Sequence, residues 1–301
     1  MEMLIFGHGY SAGYLTPLLT ARGWRVTGTT RSDTGRVAAA GAQPLLWPGD
    51  KDALRAALAR ADAVLVSAAP GDHGDPVLAD FAPDLAQARL RWLGYLSTTG
   101  VYGDRAGGWV DEDSVLDGSG PRGRARIRAE GDWCALARAH DLPLHIFRLA
   151  GIYGPGRGPF AKIRSGSARR IAKPGQVFSR IHVEDIAQVL LASIHAPAPI
   201  GIYNLCDDDP APPQDVIAHA AQLLGLPVPP EIPFDQAAPQ MSPMARSFYA
   251  DSKRVRNDRI KRDLGVRLRY PDYRSGLAAT LAAESTPLPP DEAQDEARDE
   301  G

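Results

Sequence analysis

The chain has 301 residues, enough for one large domain or two small ones around a buried core. Hydrophobic residues make up 44% of it and charged residues 23%, a globular balance, and a formal net charge of −2 gives no electrostatic footing for nucleic acid or a membrane surface. The start MEMLIFGHG has no basic segment ahead of its few apolar residues, and no apolar run reaches the about 18 residues of a membrane span. No signal peptide and no membrane anchor are expected, and the chain reads as cytoplasmic.

Short apolar runs alternate with helical patterns through the first half. MLIF (3–6) reads as a strand and GYLTPLLTARG (13–23) as a helix closed by Gly23. WRVTGTTR (24–31) is a strand, DTGRVAAAG (33–41) a short helix, QPLLWPG (43–49) a weaker strand and KDALRAALARA (51–61) a helix. AVLVSAA (63–69) is a continuous apolar strand, FAPDLAQARLRWL (81–93) a helix, and LGYLSTTGVYG (93–103) a strand with its loop. A long helix over 122–141 then leads to the strand LHIFRLAGIYG (144–154). Strands alternating with helices of this length predict βαβ units and a parallel sheet, and near-continuous apolar strands predict that both of its faces are covered. The fold class is α/β, a doubly wound parallel sheet of Rossmann type.

Beyond GPGR (154–157) the pattern loosens. Helices are expected over 182–196, 212–225, 252–265 and 273–284, a short strand over GIYNLC (201–206), and extended chain through the proline-rich LPVPPEIPF (226–234). Residues 1–157 with about 181–206 would form the dinucleotide-binding domain. Residues 158–180 with 207–283 would form a smaller C-terminal α/β substrate lobe, and 284–301 an acidic, disordered tail.

The glycine cluster GHGYSAG carries the first functional signal. Gly7, Gly9 and Ala12 give G-x-G-x-x-A, with Gly13 following. The first glycine permits a tight turn, the second lets backbone approach a pyrophosphate, and the small third residue lets the helix pack closely on the strand. The anion then sits at a helix N-terminus, where free N–H groups and the dipole favour it. The cluster follows a strand, opens a helix and leads to a second strand, which is the context a dinucleotide site requires. Tyr10, inside the turn, would face pyrophosphate or solvent, and His8 is expected on a solvated loop. The second strand ends in Thr30, Arg31 and Ser32 where an NAD site places an acid. Arginine and hydroxyls suit a 2′-phosphate, so NADP is the expected cofactor, with NAD the alternative.

With these pieces in order the sequence resembles the extended short-chain dehydrogenase/reductase family, the group of NAD(P)-dependent epimerases and dehydratases, over roughly residues 3–283. The resemblance rests on GHGYSAG, on SAAP (67–70), on LSTTGVYG (96–103), on FRLAGIYGPGR (147–157) and on IHVEDIA (181–187). It implies that Ala68, Ala69 and Pro70 border the adenosine and that Thr98 is the Ser/Thr that hydrogen-bonds the substrate oxygen. Family chemistry also uses a tyrosine that exchanges the proton and a lysine four residues on, which lowers the tyrosine pKa and holds the ribose. Matching the family glutamate to Glu130 puts Arg126 at the lysine position and Arg122 at the tyrosine position. Arg126 could keep the charge. A guanidinium at 122 stays protonated at any working pH and cannot replace a phenol. The pattern resembles the atypical branch, which keeps the cofactor fold without the Y-x-x-x-K motif.

Tyr102 is the phenol nearest in sequence that could supply the proton, and Tyr153 is placed to line the substrate cleft. His182 is expected to cap or pack its helix, and Asp185 to be structural. Arg122, Arg124, Arg126 and Arg128 could meet an anionic substrate, with alternate members facing solvent. Cys134 and Cys206 have no metal-type spacing and read as small buried hydrophobes in a reducing compartment, and no metal motif is present. Two functions remain open at this point. One is an NADP(H)-dependent oxidoreductase or epimerase acting on a small, nucleotide-linked or anionic substrate, with a homodimer as its assembly. The other is a non-catalytic NADP(H)-binding redox sensor.

Overall fold

The structure, a computed structural model, describes residues 1–118, 120–196 and 200–285. The tail expected to be disordered lies, from residue 286, outside the described residues.

The chain opens with β1 (Glu2–Phe6), α1 (Tyr10–Thr20), β2 (Arg25–Thr30), α2 (Thr34–Ala39), β3 (Gln43–Leu46), α3 (Lys51–Arg60) and β4 (Ala63–Val66). It continues through α4 (Pro76–Gln87), β5 (Trp92–Thr98), β6 (Trp109–Val110), α5 (Gly120–Ala139), β7 (Leu144–Leu149), β8 (Gly151–Tyr153), α6 (Phe160–Arg164) and β9 (Arg170–Ala172). There follow β10 (Arg180–His182), α7 (Val183–Ile194), β11 (Ile200–Leu205), α8 (Pro213–Leu223), β12 (Glu231–Pro233), α9 (Phe234–Ala237) and α10 (Pro243–Phe248). The last elements are β13 (Arg254–Val255), α11 (Asp258–Leu264) and α12 (Tyr273–Ser285).

Seven parallel strands pair in the order β11-β7-β5-β4-β1-β2-β3, the doubly wound arrangement expected. Every residue of AVLV in β4 and LHIFRL in β7 is buried, because helices cover both faces and no strand position is left for water. On one face α1 and α7 pack over Ile5, Leu15, Leu19, Ile186 and Leu190. On the other, α3, α4 and α5 pack over Phe6, Leu58, Phe81 and Trp133. A third, smaller apolar cluster forms around Phe160, Val216, Ala220 and Leu277, beside the two-stranded pairs β10-β8 and β12-β9. The strand order reverses between β1 and β4, so the crevice above their C-terminal ends is where such sheets take a ligand. No helix among the described residues is long and apolar enough to cross a membrane.

Expected boundaries shift by a few residues at several places, as at α1, found over Tyr10–Thr20, and two changes have a clear local cause. The helix read over 81–93 starts at Pro76, where Asp75 accepts the N–H groups of Val77 and Leu78 at 2.9 and 3.2 Å. An acid cap followed by proline is a strong start signal, and it pulls the helix back by a turn. Trp92 and Leu93 consequently open β5. The single helix expected over 252–265 divides into β13, which pairs with β6, and α11.

Trp92 shows how a glycine in the sheet makes room for a ring. Its ring folds along its own strand over Gly94, where a Cβ would stand 2.6 Å from ring atom Cζ2, and its indole N–H donates to Ser193 Oγ of α7 at 2.9 Å. Tyr203 covers Gly201 in the same way on β11. Gly94→Ala should therefore destabilise the protein by about 1–3 kcal/mol in urea unfolding, through overpacking. In a Trp92→Leu background the same substitution should cost much less. An equal cost in both backgrounds would show that the ring is not what excludes the methyl.

Candidate cofactor and substrate site

The glycine turn is held by β2 from beside and β4 from behind. Gly7 has φ +82°, and a Cβ there would lie 3.0 Å from the Ala68 nitrogen, so the segment after β4 runs directly against it. The Gly7 N–H donates to Thr29 Oγ1 at 2.8 Å and the His8 N–H to Thr29 O at 2.7 Å. Gly9 precedes α1 with no side-chain cap, so the first amides of this helix have no side-chain partner. Ala12 is fully buried, while Gly13 has open space where a side chain would be. Residues 7–13 and the segment Ala68, Ala69, Pro70 thus meet at one end of the crevice.

Arg31 and Ser32 are exposed at the end of β2, and Arg31 forms no hydrogen bond or ion pair among the described residues. Asp33, the nearest acid, is turned away: its carboxylate accepts the Arg36 N–H at 2.9 Å as the cap of α2 and pairs with the Arg36 guanidinium at 3.3 Å. The expectation of basic and hydroxyl groups here meets no competing carboxylate.

His8 and Tyr10 depart from expectation. His8 is 1% exposed, lies in the notch left by Gly28, and its Nε2 stands 2.8 Å from Thr16 Oγ1. Burial pushes its pKa down. Tyr10 faces neither pyrophosphate nor open solvent. Its hydroxyl donates to Pro155 O at 2.9 Å, with Arg157 over the ring at 5.6 Å, so its side chain ties the turn to the loop after β8. Only its main chain is left for the crevice.

At the other end of the crevice Thr98 closes β5. Its Oγ1 accepts the Gly100 N–H at 3.1 Å, which leaves the hydroxyl proton free to donate. Arg126 reaches β5 from α5 and donates to Tyr95 OH at 3.1 Å and Leu96 O at 2.7 Å. Arg122, Arg124 and Arg128 are exposed. Of the four arginines, Arg126 alone turns its guanidinium to the sheet.

Tyr102 is not available as a proton donor. It is fully buried, its hydroxyl donates to Asn204 Oδ1 at 2.7 Å and accepts from Arg148 at 3.0 Å, and burial raises its pKa to about 12. The reason is Arg148, a charge in the middle of a buried strand. It forms a paired contact with Glu130 at 2.8 and 3.2 Å, and Ser97 Oγ donates to the same carboxylate at 2.5 Å. Glu130, the landmark that set the family register, is thereby the counter-ion of Arg148. Sequence reading missed this network, although an arginine inside the apolar run HIFRLAG was its signal.

Tyr153 is 7% exposed and borders a cavity of about 250 Å³ together with Arg180, Tyr249 and Tyr273. His182 caps α7, its Nδ1 accepting the Glu184 N–H at 3.3 Å, and its ring packs against Tyr153 and Tyr270. Asp185 accepts the N–H groups of Arg269 and Tyr270 at 2.7 and 3.0 Å. Both residues hold the frame, as expected.

No protein-family model matches the chain. It is 31% identical over 290 residues to Protein YeeZ of Escherichia coli strain K12, covering 90% of this chain and 97% of that one. It is 29% identical over 177 residues to a 3-diazoavenalumate denitrifying reductase of a Streptomyces species, covering 56% of this chain and 58% of the reductase. Among solved structures, a conserved protein of unknown function from Silicibacter pomeroyi is 56% identical, with a TM-score of 0.89 over 95% of this chain and 99% of that one. UDP-glucuronic acid 4-epimerase from Bacillus cereus, in complex with NAD, shares the fold at 16% identity and TM-score 0.75, covering 94% and 98% of the two chains. Human epimerase family protein SDR39U1, with NADPH, shares it at 21% and 0.72, covering 94% and 99%. The chain belongs to one family with Protein YeeZ, and it shares the fold of the epimerase-like structures to which the sequence resemblance pointed.

Two measurements check this assignment of roles. Tyr102→Phe leaves Arg148 and Asn204 each short of a partner and should cost about 1–3 kcal/mol of stability, with nicotinamide cofactor affinity unchanged. Lost cofactor affinity at unchanged stability would return the phenol to the crevice. Burial lowers the His182 pKa from 6.5 to about 4. The unfolded chain therefore takes up a proton that the folded one refuses, so this contribution is complete above pH 6.5 and is lost as pH falls toward about 4. The melting-temperature gap between the protein and His182→Asn, which keeps a capping oxygen, should narrow over that interval. A constant gap would contradict the burial of a neutral imidazole.

Proposed function

We propose that the chain is an NADP(H)-dependent oxidoreductase that reduces a small molecule, with a catalytic constellation lacking the family tyrosine. The observation that carries this reading is the uncapped amino end of α1, set beside the close approach of Gly7 to Ser67 and Ala68 and an Arg31 unpaired among the described residues. The fit is good: the amides of Tyr10 to Ala12 would hold the diphosphate, Ala68, Ala69 and Pro70 would border the adenosine, and Arg31 with Ser32 would grip a 2′-phosphate. NAD-bound and NADPH-bound members of this fold are both known, so the preference for NADP rests on Arg31 and on the turned-away Asp33. Residues 1–157 and 181–206 would serve the cofactor, and 158–180 with 207–283 the substrate.

A nicotinamide held there supplies or accepts hydride. The Thr98 hydroxyl is free to donate to a substrate oxygen or nitrogen at the end of β5. Arg126, fixed against Tyr95 and Leu96, adds positive potential behind that position without giving up a proton. Neither group can take a proton and return it at neutral pH. Epimerisation at a hydroxyl-bearing carbon needs such an exchange in both directions, whereas reduction of an electron-poor acceptor can take its proton from water. The arginine at position 122 therefore favours a reductase over an epimerase, in line with the reductase among the relatives.

Exposed Arg122 and the tethered Arg126 also suit a protein that binds NADP(H) and reports its redox state. NADPH oxidation across a panel of aldehydes, ketones, imines and diazo compounds separates the two. Turnover of any of them supports the reductase, and binding without turnover favours the sensor. Arg31→Ala should weaken NADPH binding at least tenfold and NADH binding little. Equal weakening of both would remove the assignment of the 2′-phosphate.

A further inference from the structure

The cavity bordered by Tyr153 lies between α8, α12 and the β10 strand, in the part of the chain farthest from the glycine turn in sequence. Its walls are Ile171, Val216 and Leu277, with the rings of Tyr153, Tyr249 and Tyr273. Its volume of about 250 Å³ is below the roughly 300–1,000 Å³ of pockets for drug-sized ligands, so its occupant is small.

Into this mostly apolar space project two arginines, Arg180 and Arg169. Arg180 is half-buried on β10. Its Nη1 donates to Phe178 O and Ala211 O, both at 3.0 Å, while among the described residues Nε and Nη2 find no hydrogen-bond partner and no carboxylate lies within ion-pair distance. Asp207 acts on Arg180 from beyond ion-pair distance; its two oxygens are buried without a hydrogen bond, and burial raises its pKa while Arg180 pulls it down. Arg169 is exposed and, among the described residues, bonds only Gln240 Oε1, at 3.4 Å. The neighbouring arginines differ: Arg170 pairs with Glu231 at 3.1 Å and Arg164 with Glu284 at 3.2 Å. A guanidinium cannot shed its proton, so a half-buried one that no carboxylate touches, with N–H groups unbonded, is suited to a ligand that brings an anion into contact.

We propose that this cavity binds a compact carboxylate with an aromatic or branched hydrocarbon body, its carboxylate on Arg180 and Arg169 and its body against Val216, Leu277 and the tyrosine rings. The flat guanidinium fork matches a carboxylate in two parallel hydrogen bonds, and tyrosines offer apolar faces with polar tips. That this ligand is the substrate rests on the reductase reading; that the cavity takes a carboxylate does not.

The experiment is calorimetric titration with 3-phenylpropionate, its neutral amide and phenyl phosphate, on the full chain and on the variants Arg180→Leu and Ile217→Trp. Ile217 lines the cavity, and tryptophan there would fill it. The acid should bind at least tenfold tighter than the amide. Arg180→Leu should abolish that preference, and Ile217→Trp should bind neither compound while keeping its NADPH affinity. Equal binding of acid and amide, no binding of either, undiminished acid binding by either variant, or tighter binding of phenyl phosphate would overturn the proposal. NADPH is titrated separately. Its failure to bind, with the acid behaving as expected, would defeat the cofactor reading and leave this site standing.

Discussion

The contact on which the rest of the structure depends is the approach of Gly7 to the backbone of Ser67 and Ala68. A single Cβ at Gly7 would lie 3.0 Å from the Ala68 nitrogen, so the ends of β1 and β4 can meet only because that carbon is missing. The left-handed turn this glycine makes points α1 away from β1 at an angle that leaves its first amides facing the crevice rather than a capping side chain. Thr29 fixes the same turn from the other side through two short hydrogen bonds. Strand order, glycine turn and helix dipole therefore converge on the amino end of α1, where the diphosphate of the proposed cofactor would sit.

The opposite half of the crevice is organised by a buried charge pair. Arg148 and Glu130 are each nearly inaccessible, and such a pair persists only with full hydrogen bonding, which Ser97, Tyr102 and the Glu112 carbonyl provide. This network consumes the phenol that sequence reading offered as a substitute acid. It also anchors α5 to β5 and β7, so Arg126, one turn before Glu130, is delivered to β5 at a fixed height. What the helix retains at this place is charge and position without a titrating hydroxyl, and that difference shapes the chemistry proposed.

The fold was legible because the strands are buried on both faces: AVLV and HIFRL announce a parallel sheet by composition, and the glycine spacing locates its first turn. Boundaries were lost where a local signal competed with periodicity, as at Asp75-Pro76, whose cap overrode the apolar pattern, and at Arg254–Val255, too short a strand to show an alternation. At the site, residues set by backbone spacing (Gly7, Gly9, Thr98, Arg31) could be read in order along the chain. Residues set by burial could not. The inward turn of His8 depends on the absence of a side chain at Gly28, and the burial of Tyr102 depends on Arg148 and Asn204, 46 and 102 positions away. Such pairings appear only once strands β5, β7 and β11 lie side by side.

A crystal structure of the protein grown with NADPH tests the central claim most directly. The account predicts the diphosphate against the amides of residues 10–12 at the start of α1, with the 2′-phosphate beside Arg31. Density for the cofactor elsewhere on the molecule, or none at saturating concentration, would contradict it.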